Sequence, residues 1–255
     1  MRFEITDKKK REIFITIFNH LKTFTDSIVL NIEPNRLYIQ GMDTSHICVY
    51  ELILQSSWFQ VWDITETHLF GLSLPIFNKI LHICSDKQSI QIHSENGEEL
   101  HVDFTSNENG EFDKHLKMPL MDIEMEMLHI PDIEYDVDIE MDSKKFKGLI
   151  DELANFNETL NIVCNENQVI LESSSSEGSM NAVITIDDIE LLAVMEGKEI
   201  NTSFGIKYIA QMCQFHKVTQ NCAIHITEDM PLQLKYNIDD GCMIRFYLAP
   251  KINDN

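Results

Sequence analysis

Basic residues are concentrated in four short windows of a strongly acidic chain. The formal net charge is -22, yet residues 8–22, 77–87, 144–155 and 207–217 hold 12 of the 20 lysines and arginines. These windows sum to +8, and the rest of the chain sums to -30. Lysine and arginine bind phosphate through charge-assisted hydrogen bonds. The acidic total argues against nucleic acid, but the sorting of charge along the chain favours a separate phosphate-binding surface.

Each basic window also has the apolar spacing of an amphipathic helix. The stripes are Ile13, Phe14, Ile17, Phe18 and Leu21; Leu74, Phe77, Ile80 and Leu81; Phe146, Leu149, Ile150 and Leu153; and Ile206, Ile209, Met212 and Cys213. Lysines follow the expected N-cap Asp7 in the first helix and the pair Asp142 and Ser143 in the third, where the helix dipole makes a cation cost a few tenths to about 1 kcal/mol. That placement favours a functional role for the charge over a merely solvated face.

Short alternating runs predict β-strands between the helices. They are Ser27–Ile32, Leu37–Met42, Ile47–Leu54, Ile90–His93, His101–Phe104, Leu160–Cys164, Val169–Leu171, Ala182–Ile186, Ala223–Ile226 and Leu232–Tyr236. The sequence therefore predicts an α+β chain that is mostly β, with four helices.

The sequence pattern indicates an internal duplication of the chain. A shift of about 136 residues places the first helix on the third, and a shift near 134 places Ile90 on Ile224. At 255 residues, two domains are also the default expectation. We expect an N-terminal domain at 1–119, an acidic connecting loop at 120–135 and a C-terminal domain at 136–255.

Motifs for catalysis, metal binding and secretion do not occur in the sequence. The six cysteines form no CxxC pair and indicate buried thiols of an intracellular protein. Asp136, Asp138 and Glu140 alternate like calcium ligands, but Met141 replaces the required glycine and Lys147 the terminal glutamate. There is no GxSxG, phosphate loop or HExxH, no secretory signal and no membrane-length apolar run. We expect no enzyme, cofactor, metal or membrane contact.

Three dispersed segments resemble motifs of the proliferating cell nuclear antigen family of sliding clamps. They are residues 42–47 after a strand, the linker at 120–131 and the tail at 247–255. Their order and spacing match the family over essentially the whole chain. The resemblance implies a two-domain DNA-clamp fold, internally duplicated, with antiparallel sheets outside and four helices lining the central channel of an oligomeric ring.

The same resemblance implies a DNA polymerase processivity factor that encircles duplex DNA. The implied partners are double-stranded DNA without sequence readout, DNA polymerase, an ATP-driven clamp loader, flap endonuclease, DNA ligase and further copies of the chain in a homotrimer. The implied location is the nucleus, or a viral replication compartment if the chain is viral.

Resemblance and charge together give the expected DNA-contacting residues. They are Lys8, Lys9, Lys10, Arg11, Lys22, Lys79, His82, Lys144, Lys145, Lys147, Lys207 and Lys217. His82 stands where the family usually has lysine, and Asp151 where it often has arginine, so the channel is expected to be less uniformly basic than usual. The Lys8–Arg11 run also resembles a short nuclear-import signal.

The resemblance also implies a pocket for the aromatic plug of partner proteins. Its expected residues are Met42, His46, Ile47, Leu128, Ile130, Pro131, Pro231, Tyr247, Leu248, Ala249, Pro250 and Ile252. Apolar linker and tail residues can exclude water around an aromatic anchor, and proline stiffens both segments.

The resemblance implies that ring closure uses two edge strands, around 111–119 and 177–185. The serines at 173–176 and Gly178 predict a turn before the second of them. Head-to-tail pairing of these edges would remove both from solvent. Three other functions stay open at this point. They are a subunit of a heterotrimeric checkpoint clamp, a hydrolase using paired carboxylates, and a sequence-specific DNA-binding regulator.

Overall fold

A computed structural model of the chain describes residues 1–123, 128–131, 133–239 and 241–251. The α-helices in these residues are α1 (Lys8–Leu21), α2 (Leu74–Leu81), α3 (Ser143–Leu153) and α4 (Ile206–Met212). The first nine strands are β1 (Arg2–Ile5), β2 (Ser27–Glu33), β3 (Arg36–Met42), β4 (Cys48–Gln55), β5 (Val61–Asp63), β6 (His68–Ser73), β7 (Ser89–His93), β8 (Glu99–Thr105) and β9 (Lys114–Pro119). The next nine are β10 (Val137–Asp142), β11 (Thr159–Asn165), β12 (Gln168–Ser175), β13 (Gly178–Thr185), β14 (Leu191–Val194), β15 (Ile200–Gly205), β16 (Asn221–Ile226), β17 (Leu232–Asp239) and β18 (Cys242–Leu248).

The chain forms two compact units. The first unit comprises the described residues of Met1–Thr44, Glu51–Leu128 and Ile238–Met243. The second comprises those of Ser45–Tyr50, His129–Asn237 and Ile244–Asn255.

Both units have the same strand order. The strands that lie wholly or mostly in the first unit have the orders β5-β1-β7-β8-β9 and β4-β3-β2-β6. In the second unit the orders are β14-β10-β16-β17-β18 and β13-β12-β11-β15. Adding nine to each strand number of the first unit gives the second, and α1 and α2 correspond to α3 and α4. The predicted internal duplication is therefore confirmed, as are the four helices.

Aromatic side chains fill the core of each unit. In the first unit Phe14, Phe18 and Phe77 are buried where α1 packs against α2. In the second unit the Phe215 ring lies 4.9 Å from Phe246 and 6.3 Å from Tyr236. These contacts hold α1 against α2 in the first unit and the segment after α4 against β17 and β18 in the second, because packed aromatic rings resist relative displacement.

Two sequence predictions about local structure were wrong. Ile186 begins a short 3-10 helix at Ile186–Asp188 instead of ending a strand. Ser173–Ser175 belong to β12, so the turn into β13 is confined to Ser176 and Glu177. Serine side chains gave a turn signal, but the ladder between β12 and β13 continues to the Ser175–Gly178 pair.

Strands β9 and β13 each lie at the edge of a sheet, as the family resemblance implies. Each is paired on one side, β9 with β8 and β13 with β12. Edge strands carry backbone groups able to pair with another chain. Their pairing between copies of the chain stays a prediction.

Candidate nucleic-acid interface and partner-binding residues

Aromatic packing and one amide hold α1 and α2 together in the first unit. The Phe18 and Phe77 rings meet edge-on, with centroids 5.0 Å apart. Asn78 is buried in α2, and its Nδ2 donates to the Phe18 carbonyl oxygen at 2.8 Å. These contacts fix the position of α1 relative to α2, and with it the positions of the side chains that both helices present to solvent.

Three predicted DNA-contacting residues come together on this helix pair. Lys22, Lys79 and His82 line one shallow depression with Pro75 and Asn78, and none of the lining residues is acidic. Lys22 and His82 are the C-cap residues of α1 and α2. The negative end of a helix dipole favours a cation there. The depression therefore presents positive charge to solvent without an opposing carboxylate in its lining.

The Lys8–Arg11 run does not act as one cationic surface. Lys8 Nζ lies 3.9 Å from Glu12 and 3.7 Å from Asp86. Lys10 Nζ donates to the Trp58 carbonyl oxygen at 2.8 Å. Arg11 is only 6% exposed. We therefore leave Arg11 out of the proposed DNA contacts, and of the four residues only Lys8 and Lys9 are exposed.

The second unit repeats the design around α3. Asp142 caps α3 by accepting from the Lys145 backbone N–H at 2.8 Å, as Asp7 caps α1 by accepting from Lys10 at 2.9 Å. The predicted N-cap Asp7 is confirmed, and of the pair Asp142 and Ser143 it is Asp142 that caps α3. Ser143 Oγ lies 2.7 Å from the Thr219 carbonyl oxygen and joins the start of α3 to the segment that follows α4.

Most of the predicted cations of the second unit are exposed. They are Lys144, Lys145, Lys207 and Lys217. Lys207 Nζ lies 4.7 Å from the ring centre of Tyr208, a cation–π distance. Lys147 is different because it forms an ion pair with Asp151 one helical turn away. That pair lowers the charge that Lys147 can offer to a phosphate.

Two contacts in the first unit fix the described ends of the acidic linker. The Gln40 side chain forms two hydrogen bonds with the Leu128 backbone. Its Nε2 donates to the carbonyl oxygen at 3.0 Å, and its Oε1 accepts from the N–H at 2.8 Å. The Met121 N–H donates to the Gly71 carbonyl oxygen at 2.7 Å. A Cβ at Gly71 would lie 2.3 Å from the Met121 oxygen. Neither Gln40 nor Gly71 could be identified from the sequence, because each contacts a residue distant in the chain.

The tail residues in the second unit divide into buried and accessible positions. The Ala249 N–H donates to the Ile47 carbonyl oxygen at 3.1 Å, and Ile47 is 38% exposed. Leu248 is fully buried and Tyr247 nearly so. These two support the surface from beneath and cannot line an open pocket. Pro250 is followed by Lys251, whose N–H donates to the Ser203 carbonyl oxygen at 2.8 Å.

The other members of the predicted pocket set have varied positions. Met42, Ile130 and Pro231 are half-buried, His46 and Pro131 are exposed, and Leu128 is 37% exposed. His46 has a positive φ of 57°, which fixes the turn before β4. Ile252 lies outside the described residues.

Sequence comparison decides the family. The model of the proliferating cell nuclear antigen N-terminal domain matches residues 4–127, and that of the C-terminal domain matches residues 129–251. The chain belongs to the proliferating cell nuclear antigen (PCNA) family of sliding clamps. Its fold is the duplicated clamp fold of that family.

Relatives in distant organisms span nearly the whole chain. The chain is 26% identical to the PCNA of Caenorhabditis elegans over 94% of its length and 93% of that protein. It is 23% identical to the PCNA of Chaetomium thermophilum, covering 97% of each. A solved structure of the PCNA2–PCNA3 complex from Sulfolobus tokodaii superposes with a TM-score of 0.86 at 20% identity, over 98% of this chain and 99% of that one. That likeness supports the fold.

Within the described residues, no helix is long and apolar enough to cross a membrane.

Proposed function

We propose that the protein is a DNA polymerase processivity factor, a ring-shaped clamp that encircles duplex DNA and tethers polymerase and other replication and repair proteins. The observation that carries the proposal is the acid-free depression formed by Lys22, Lys79 and His82. It lies on paired helices in a chain of the sliding-clamp family. Clamps of this family are scaffolds and not enzymes.

The proposed grip on DNA is electrostatic and independent of sequence. Phosphate contacts by lysine position a duplex without reading its bases. The exposed cations of the second unit, Lys144, Lys145, Lys207 and Lys217, would add contacts of the same kind. Because these contacts are solvent-exposed and individually weak, the clamp can exchange one phosphate for the next and slide.

The proposed benefit to polymerase is a higher effective concentration of DNA ends around it. A polymerase held to a clamp by a short flexible link experiences an effective concentration of DNA ends on the order of mM. The clamp need perform no chemistry for this effect. Flap endonuclease and DNA ligase would use the same tether, an ATP-driven clamp loader would place it on DNA, and the working location would be the nucleus.

The proposed partner contacts are the accessible members of the predicted pocket set. Ile47 and Ala249 in the second unit, and Leu128 in the first, present exposed apolar surface. An aromatic plug gains affinity from such surface by removing it from water. Leu128 is held in place by Gln40, so less chain entropy is lost when a partner binds.

The experiment that tests the DNA contacts measures binding against salt concentration. The double change Lys22→Gln and Lys79→Gln removes two phosphate contacts. The slope of log K against log salt should therefore become shallower by about 2. Lys198→Gln removes an exposed lysine paired with Asp136 and serves as the control. If the double variant bound DNA and stimulated polymerase like the parent at all ionic strengths, the assignment of these lysines would be wrong.

A further inference from the structure

Arg11 is a buried cation that forms no ion pair with a carboxylate in the part of the chain that the structure describes. Its Nη1 and Nη2 atoms donate to the carbonyl oxygens of Ser85 at 3.3 Å and Asp86 at 2.9 Å. Its Nε has no hydrogen-bond partner, although the residue is only 6% exposed to solvent. Among the described ion pairs, Arg11 takes part in none. A buried charge without a counter-ion is unfavourable, so this arrangement favours an external anion.

Arg11 lines a surface depression of about 430 Å³ in the first unit. Two further cations, Arg2 and Lys87, line it, with Glu4 as the one carboxylate in the lining. The other lining residues supply hydroxyls and amides, which are Thr6, Gln88, Ser89, Gln91, Thr105, Ser106 and Asn107. Such a donor-rich lining suits an anion better than a cation or an apolar group.

The two outer cations are held by weak pairs that an anion can replace. Arg2 Nη2 lies 3.3 Å from Glu4 Oε2, and the Arg2 side chain is 48% exposed. Lys87 Nζ lies 2.9 Å from Glu108 Oε2, and the Lys87 side chain is 54% exposed. Exposed pairs of this kind contribute at most about 1 kcal/mol. Both side chains can therefore turn toward a bound anion.

We propose that the depression around Arg11, Arg2 and Lys87 binds a small phosphate-type oxyanion. The site is separate from the proposed DNA-contacting depression and does not depend on the clamp function. Guanidinium groups match the geometry of phosphate oxygens, and the Ser106 hydroxyl, whose Oγ accepts from the Glu108 N–H, provides an additional donor. The bound anion supplies the negative charge that Arg11 lacks within the protein.

The first test is thermal unfolding of the full chain in inorganic phosphate and in chloride at matched ionic strength and pH. We expect 10 mM phosphate to raise the unfolding midpoint by about 3 °C relative to chloride. The double change Arg2→Gln and Lys87→Gln leaves the buried Arg11 in place and should remove most of this rise. Lys198→Gln, another exposed lysine paired with a carboxylate, should retain it.

The second test locates the anion. The chain has four arginines, Arg2, Arg11, Arg36 and Arg245, so its arginine Nε–H signals are few enough to follow by NMR. Phosphate should move the Arg11 signal and leave the Arg36 signal in place, since Arg36 is paired with Glu33. Equal stabilisation by chloride, an unchanged rise in the double variant or an unmoved Arg11 signal would each overturn the proposal. Loss of DNA binding in the double variant without any phosphate effect would assign these cations to DNA and overturn it as well.

Discussion

Buried thiols in the second unit have strongly altered acidity. Burial raises the pKa of Cys164 to about 12 and, with a smaller effect of Asp142, that of Cys222 to about 12. Burial also raises the pKa of Cys213 well above its ordinary value. All six cysteines are among the described residues, and only Cys84 is partly exposed while the other five are buried. Apolar surroundings disfavour the thiolate, so these groups are inert at neutral pH.

This burial predicts a loss of stability at alkaline pH. The unfolded chain releases thiol protons near the ordinary pKa of 9.0, whereas the folded chain holds them until about 12. The stabilisation is complete below pH 9 and falls as pH rises from 9 to 12. At pH 10.5 each of these two thiols should cost about 2 kcal/mol of unfolding free energy.

Urea unfolding at pH 8 and pH 10.5, at one protein concentration, checks this value. Cys164→Ala should lose about 2 kcal/mol less between the two pH values than the parent. Cys84→Ala, at the partly exposed position, is the matched control and should follow the parent more closely. Identical pH dependence in all three proteins would contradict the assignment.

At the residue scale, Gln40 anchors the linker at Leu128. Gln40→Ala removes two hydrogen bonds to the Leu128 backbone, each worth about 1 kcal/mol. Release of the linker should become at least about tenfold more frequent, because opening follows the free energy lost. Limited proteolysis with mass spectrometry should detect faster cleavage near Leu128. Gln60→Ala, an exposed glutamine of the same unit, should be cleaved like the parent, and equal rates in both variants would contradict the anchoring role.

At the scale of elements, α1 carries one cation at the end where the helix dipole disfavours it and another at the end where the dipole favours it. Lys9 lies in the first turn, where a positive charge is unfavourable, and Lys22 caps the carboxyl end, where it is favourable. Both side chains are exposed. The same chemical change at the two positions should therefore alter stability in opposite directions.

Lys9→Gln should raise the unfolding free energy by about 0.5 kcal/mol, and Lys22→Gln should lower it by a similar amount at low salt. Denaturant unfolding of the two variants measures this difference of about 1 kcal/mol. The difference should shrink in 1 M salt, which screens exposed charges. A shift of the same sign in both variants would mean that the dipole does not govern this helix.

The elements that the sequence predicts are those with regular apolar periodicity. The alternation at 27–32 and 160–164 identifies β2 and β11, and the three- and four-residue stripe at Phe146 identifies α3. The sequence pattern did not predict β15, because this strand buries the polar residues Thr202 and Ser203 in place of apolar ones. Arg11 escaped because a run of charges ordinarily marks a solvated face, and its partners lie 74 and 75 residues away. The spacing of lysines could not indicate which of them fold inward.

At the scale of the whole molecule, duplication accounts for the fold and leaves strands at the edges of the sheets, among them β9 and β13. Strands β9 and β13 end their sheets in the two units. The exposed apolar side chain of Val183 lies on β13. We propose that β9 of one copy pairs with β13 of the next until three copies close. The domain boundaries at 119 and 135 remain predictions of the same account.

Light scattering tests this assembly. Three copies of a 29.6 kDa chain give a molar mass of about 89 kDa. Val183→Glu should lower the mass toward that of the single chain, because a charge at the buried edge is desolvated. Leu69→Glu alters another exposed apolar side chain and is the control. A parent protein that stays monomeric at micromolar concentration would favour a subunit of a heterotrimeric checkpoint clamp.

Enclosure of DNA is the central claim, and retention on circular DNA tests it most directly. The protein is loaded onto a closed circular plasmid by a clamp loader with ATP, free protein is removed, and the plasmid is cut once with a restriction enzyme. A clamp that holds DNA by surrounding it should persist on the circle and leave through the new ends within the time needed to slide there. Equal retention on circular and cut DNA would contradict enclosure and indicate attachment by surface contacts alone.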